Sequence, residues 1–150
     1  MEIERKFLVN SDEYKKKATC HVRIKQGYLI NDKDMQARVR VIGNTEAFLT
    51  IKSANTDLVR FERETEIPVD MAEKLLKKCN GVIDKERFYV PTSTHTFEID
   101  EFLGSLYGLV LAEVEMNSED ENVFLPDFIG EEVTGNNDYY NATLIKKVSK

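Results

Sequence analysis

Met1-Glu2-Ile3-Glu4-Arg5-Lys6 is the stretch on which the reading of the fold turns. Glu2, Glu4 and Lys6 share one parity, while Ile3 and Phe7 fall on or near the other. In a β-strand this spacing sets two carboxylates and an ammonium on one face, successive members about 6.6 Å apart. Neighbouring carboxylates repel unless a cation lies between them. The face therefore suits a hard divalent metal, with the lysine available to an anion. A charged edge strand is the plainer alternative, and the choice depends on whether later strands repeat the pattern.

The 150 residues suit a single domain, read as 1–150. Hydrophobic content of 41% and charged content of 32% describe a soluble globular protein. No apolar run reaches about 18 residues, so no membrane partner is expected, and the charges near Met1 speak against a secretion signal. Cys20 and Cys79 lie outside any C-x-x-C pattern. Both are expected as reduced core thiols in a cytoplasmic protein. A net charge of −6 argues against nucleic acid as a partner, yet allows a local basic pocket for a small anion. His21 and His95 show no partner pattern and are expected on the surface or in turns, and Lys15-Lys16-Lys17 on a solvated helix face.

Most of the chain reads as strands: 1–9, 20–30, 36–42, 46–53, 58–67, 83–90, 94–102 and 109–117. Asn31 to Asp34, Gly43-Asn44 and Asn55 to Asp57 supply turns, and Pro68 ends a strand because it cannot donate to a ladder. Ser11-Asp12-Glu13 before Tyr14 suits a short capped helix. Over 69–79, Met71, Ala72, Leu75, Leu76 and Cys79 make one apolar helical stripe, stopped by Gly81. The tail from Asn137 reads as a helix that Tyr139 and Tyr140 help to pack; alternatively, Asn141 and this helix cap the mouth of a tunnel. With no βαβ rhythm, the class is α+β, predominantly antiparallel.

Charge recurs at period two on strand after strand. Arg38 and Arg40 oppose Val39 and Val41; Thr50 and Lys52 oppose Leu49 and Ile51. Arg60, Glu62, Glu64 and Glu66 share a face, as do Lys85 and Arg87, Glu98 and Asp100, and Glu113 and Glu115. One wet face is ordinary in an antiparallel sheet. Here, however, acids concentrate toward the chain ends and bases between them. If the sheet closes, the charges converge on an interior that requires a polyanion for its cations and a metal for its carboxylates.

These residues resemble the E-x-E-x-K motif and strand motifs of CYTH domains, the triphosphate tunnel metalloenzymes. The likeness covers Glu2 to Lys6, Arg38-Val-Arg40, Leu49-Thr-Ile-Lys52, Arg60-Phe-Glu62-Arg-Glu64, Lys85-Glu-Arg87, Glu98-Ile-Asp100, Leu111 to Glu115, and Gly130 to Thr134 leading to Tyr139-Tyr140-Asn141. The resemblance implies a closed eight-stranded β-tunnel with a charged interior and short flanking helices. It implies a magnesium- or manganese-dependent enzyme (Mg2+ or Mn2+) acting on a small-molecule triphosphate, with a homodimer as a candidate assembly. Glu2, Glu4, Glu113 and Glu115 look like metal ligands. Lys6, Arg38, Arg40, Lys52, Lys85 and Arg87 look like the triphosphate clamp, with Arg60 beside them. Together these ten are the expected catalytic set, while Glu62, Glu64 and Asp100 are assigned to a second cation or to holding the clamp.

Three activities fit such a site: hydrolysis of inorganic tripolyphosphate, hydrolysis of thiamine or nucleoside triphosphate, and class IV-like cyclisation of ATP to cyclic AMP and pyrophosphate. Cyclase-like members carry histidine and phenylalanine before the acidic motif, and neither stands before Glu2. With no Trp and no aromatic cluster to stack a base, the expectation is a tripolyphosphatase. A non-catalytic polyphosphate binder would be expected to lose the acids, and all four are retained.

Overall fold

A computed structural model describes residues 3–32, 34–53 and 61–148. It contains strands β1 Ile3–Val9, β2 Cys20–Asn31, β3 Met35–Ile42, β4 Glu46–Ser53, β5 Phe61–Glu66, β6 Ile83–Pro91, β7 Thr96–Phe102, β8 Val110–Met116 and β9 Ile129–Glu132. The α-helices are α1 Tyr14–Lys17, α2 Val69–Lys78 and α3 Asn141–Leu144. Among the described residues no helix is long and apolar enough to cross a membrane. The chain divides into two compact units, Met1–Val22 with Lys85–Tyr139, and Arg23–Asp84 with Tyr140–Lys150.

In the first unit the strand order is β6-β7-β8-β1-β9. Antiparallel register sets Phe7 and Ile99 each opposite Ala112, and Phe97 opposite Val114. These side chains share one sheet face and form a core with Val90, Phe128 and Tyr14. Four residues cannot sustain a helix on propensity alone. Tertiary contact holds α1: the Tyr14 ring meets Phe88 and Phe128 edge-on, and its hydroxyl donates to Glu101 Oε2 at 2.6 Å.

The second unit carries β5-β4-β3-β2 in that order. Val39, Val41 and Ala47 pack beneath Ala72 and Leu76 of α2. Gly27 lets the end of this helix sit directly on β2, since a Cβ there would come within 2.9 Å of Cys79 Sγ. Lys6, Glu113 and Asp100 in the first unit and Arg38 and Arg40 in the second lie on the parity opposite these core residues, whereas Arg5 and Glu101 lie on the core parity.

Several expectations require correction. A ninth strand, β9, joins β1 through a register shift between Phe7 and Val9, and its four residues are too few to show a period. The tail from Asn137 is broken into a 3₁₀ turn Asn137–Tyr139, α3, and a second 3₁₀ turn Ile145–Lys147. Helix α1 has Glu13 at its N-cap with no side-chain cap; Ser11 instead accepts the Glu13 backbone N–H at 3.4 Å. Cys20 is exposed and only Cys79 is a core thiol. On the α2 stripe, Met71 is 50% exposed and Leu76 is 5% exposed. Glu2, the expected turn Asn55 to Asp57, and residues 58–60 of the expected 58–67 strand, Arg60 included, lie outside the described residues.

The split within that stripe gives a test. Leu76→Ala should lower the unfolding free energy by about 2–5 kcal/mol through lost burial and a residual cavity. Met71→Ala, at a half-exposed position, should stay within about 1 kcal/mol. Urea titrations of both variants check the contrast, and equal losses would place α2 in another rotation.

Candidate active site

In the first unit, β1, β8 and β7 bring the expected acids and Lys6 together by register. Glu4 lies opposite Glu115, Lys6 opposite Glu113, and Glu113 opposite Glu98. The Glu113 carboxyl is pushed up by burial. Its hydrogen bond to Glu4 and the charges of Lys6 and Lys85 outweigh this and leave it below the ordinary range. Two carboxyls in such contact need a shared proton or a cation. Lys6 Nζ donates to the Tyr139 backbone carbonyl at 3.0 Å and lies 3.5 Å from Glu113. The turn at Asn137–Tyr139 thus steadies the lysine of the E-x-E-x-K motif.

The deepest ionic group is made by β6 and β7. Arg87 lies opposite Asp100 in the ladder, with Lys85 two residues along the same face. Asp100 accepts from Lys85 Nζ at 2.8 Å and from Arg87 Nε and a terminal guanidinium nitrogen at 2.7 and 2.9 Å. Lys85 is 0% exposed and Asp100 is 3% exposed. Burial pushes the Asp100 carboxyl up, but Lys85 and the Arg87 fork overcome this and hold it well below the usual carboxylate range. Arg87 shows the reverse balance: burial lowers its affinity for the proton, and Asp100, Glu98 and Glu113 raise it further than burial lowers it. One carboxylate therefore serves two cations, and Glu98 lies 3.6 Å from the same arginine.

The second unit presents three cross-strand rows on its charged face. Tyr28, Arg38, Thr50 and Glu64 form one; Gln26 and Arg40 begin another; Gln36, Lys52 and Glu62 form the third. Arg38 donates to Thr50 Oγ1 and Thr50 donates to Glu64 Oε1, both at 3.4 Å. Lys52 lies 3.2 Å from Glu62. Burial raises the Tyr28 hydroxyl pKa more than Arg38 and Arg40 lower it, so it remains a hydrogen-bond donor at neutral pH.

Sequence periodicity thus found these strand faces, Thr50 included, and it missed Gln26 and Tyr28 because neutral residues do not stand out in a charge pattern. The histidines do have partners: His21 Nδ1 lies 2.6 Å from Glu86, and His95 pairs with Glu121. These partners, 65 and 26 positions away in sequence, could not be read from local spacing.

Carboxylate oxygens are suitable donors for a hard divalent cation. The Glu4–Glu113 contact and the facing Glu4–Glu115 pair fit such an ion in place of a shared proton. Among the described residues no three acidic or histidine side chains already converge as a metal cage.

Paired acids, a buried cation group and arginine rows on the charged faces of antiparallel strands are donor types suited to metal and phosphate. The CYTH domain family matches residues 1–147, and the chain belongs to that family. It is 44% identical to the inorganic triphosphatase of Acetivibrio thermocellus over 99% of this chain and 96% of the relative. It is 40% identical to the inorganic triphosphatase of Nitrosomonas europaea over 95% of each chain. A crystal structure of an inorganic triphosphatase superposes with a TM-score of 0.73 at 34% identity, covering 100% of this chain and 97% of that one.

Asp100→Asn keeps the side-chain shape but strips the buried cations of their charge partner. Unfolding free energy near neutral pH should fall by about 3–5 kcal/mol. The Asp100 pKa is lower folded than unfolded, so its contribution is complete above the unfolded value of about 3.9 and is lost as pH falls through the folded value. Urea titrations should show the gap between wild type and variant narrowing below about pH 4. A gap that widens in acid would contradict the assignment.

Proposed function

We propose that this chain hydrolyses inorganic triphosphate, cleaving its terminal phosphate and leaving pyrophosphate. The observation that carries the reading is the opposition of facing acids, Glu4 with Glu115 and Glu113, to the cations Lys85 and Arg87 held on Asp100. The names of two relatives that align along nearly the whole chain support it. The family match runs unbroken over residues 1–147, which supports treating 1–150 as one functional domain in the tunnel fold. The exposed free thiol of Cys20 suits a reducing, cytoplasmic setting.

In this reading Arg38, Arg40, Lys52, Lys85 and Arg87 bind the phosphate chain, with Lys6 at its acidic end. Guanidinium forks match phosphate oxygens two at a time. Fixing the chain along its length leaves the terminal phosphorus open to water in line with the bridging oxygen that departs. Glu4, Glu113 and Glu115, with Glu2, would hold Mg2+ or Mn2+. Such a cation, when bound, shields phosphate charge and polarises the reacting phosphoryl group. The acids otherwise repel the substrate, so their role depends on that neutralisation. Asp100 keeps two clamp cations in place, and Glu62 and Glu64 do the same for Lys52 and Thr50.

Phosphate release from tripolyphosphate, pyrophosphate, ATP, GTP and thiamine triphosphate, with cyclic AMP monitored, tests the proposal. Tripolyphosphate should be the best substrate, because a base and ribose gain no contacts from this charge set, and pyrophosphate should be poor because it reaches fewer cations. Cyclic AMP as the main product from ATP, or a nucleotide with the higher kcat/KM, would overturn it.

EDTA should abolish turnover, and Mg2+ or Mn2+ should restore it. Glu4→Gln and Glu115→Gln should each lower kcat by about 10²–10³-fold, comparable to removing a transition-state charge stabiliser. Arg38→Ala and Arg40→Ala should raise KM as well as lower kcat. Wild-type kinetics in all four variants would put these faces outside the site.

A further inference from the structure

Gln26 is a neutral residue at the centre of a basic face, and it is fully buried at 0% exposure. It lies opposite Arg40 in the β2–β3 ladder, and Arg40 Nε donates to Gln26 Oε1 at 2.9 Å. Arginine has no acceptor, so the amide must turn its oxygen toward Arg40 and its NH2 away. Among the described residues that NH2 has no hydrogen-bond partner, and neither does the buried Nε of Arg38 in the adjacent row. A buried polar group without a partner is uncommon and calls for an explanation. Both orphan atoms on this face are donors, so the group that satisfies them must be an acceptor.

We propose that Gln26 is a further phosphate-binding residue, which aligns Arg40 through Oε1 and gives an Nε2 hydrogen to an oxygen of the triphosphate chain. The inference rests on the triphosphatase reading and adds to it a specificity element that carries no charge. A lysine at this buried position would repel Arg38 and Arg40 and lose hydration without compensation. An amide supplies the donor without adding charge. It also fixes the plane of Arg40, so that guanidinium meets substrate already oriented, and less conformational freedom is lost on binding.

Two variants separate alignment from donation. Gln26→Met keeps the length and the apolar volume but removes both functions. Gln26→Glu keeps the acceptor for Arg40 and replaces the donor with an anionic oxygen. Titration calorimetry with tripolyphosphate in EDTA, where turnover is expected to stop, reads binding directly, and thermal melts report whether each variant is folded. Gln26→Met should weaken tripolyphosphate binding about tenfold, the loss of one hydrogen bond to a charged group. Gln26→Glu should weaken it at least as much while folding normally, and both should raise KM for tripolyphosphate more than they lower kcat.

Wild-type binding constants in a folded Gln26→Glu variant, with wild-type protein active on tripolyphosphate, would overturn the role of Gln26 and leave the triphosphatase reading standing. Wild-type protein that neither binds nor cleaves tripolyphosphate would overturn both.

Discussion

One buried carboxylate organises the cationic part of the first unit. Without Asp100, Lys85 and Arg87 would face each other without solvent, and like charges under those conditions repel far more strongly than in water. With it, both side chains of β6 are fixed to the adjacent strand β7 by three hydrogen bonds between 2.7 and 2.9 Å. Glu98 adds a longer contact, 3.6 Å from Arg87, so the two cations face two carboxylates.

The second unit solves the same problem with weaker partners. Arg38 and Arg40 are spaced by one residue along β3 and kept apart by pleat geometry, with a threonine and a glutamine as neighbours. Hydroxyl and amide groups orient a guanidinium without cancelling its charge. The two units thus offer different kinds of cation: one pair locked by a carboxylate, the other steered by neutral acceptors.

Much of this was legible in the chain because parity is robust. A one-residue slip would turn Val39 and Val41 out of the core and bring Arg38 and Arg40 in, so the alternation at 38–41 fixes which face each arginine occupies. The same logic placed Lys85, Arg87 and Asp100 correctly. What parity could not provide is pairing across strands: that Asp100, rather than Glu98, would take both cations follows from register. Short elements were harder. Strand β9 gains its partner through an irregular junction with β1, and the tail after Asn137 lacks a long enough apolar stripe to stay one helix. Met71 fitted the α2 stripe by period but sits at its margin, where a half-exposed side chain costs little.

The position of β1 has a consequence for biosynthesis. Ile3 pairs with Met116 and Phe7 with Glu132, so β1 leaves the ribosome well before the segments it pairs with are made. Elongation at about 5–20 residues per second leaves that interval open for seconds. Throughout it Phe7 has no Ala112 to face, and the strand has two unsatisfied edges. Non-local pairing of this kind also slows the search once the chain is complete. Glu4 is therefore set opposite Glu115 only after translation has passed β8, and the ordering of its strand is a late event in the life of the chain.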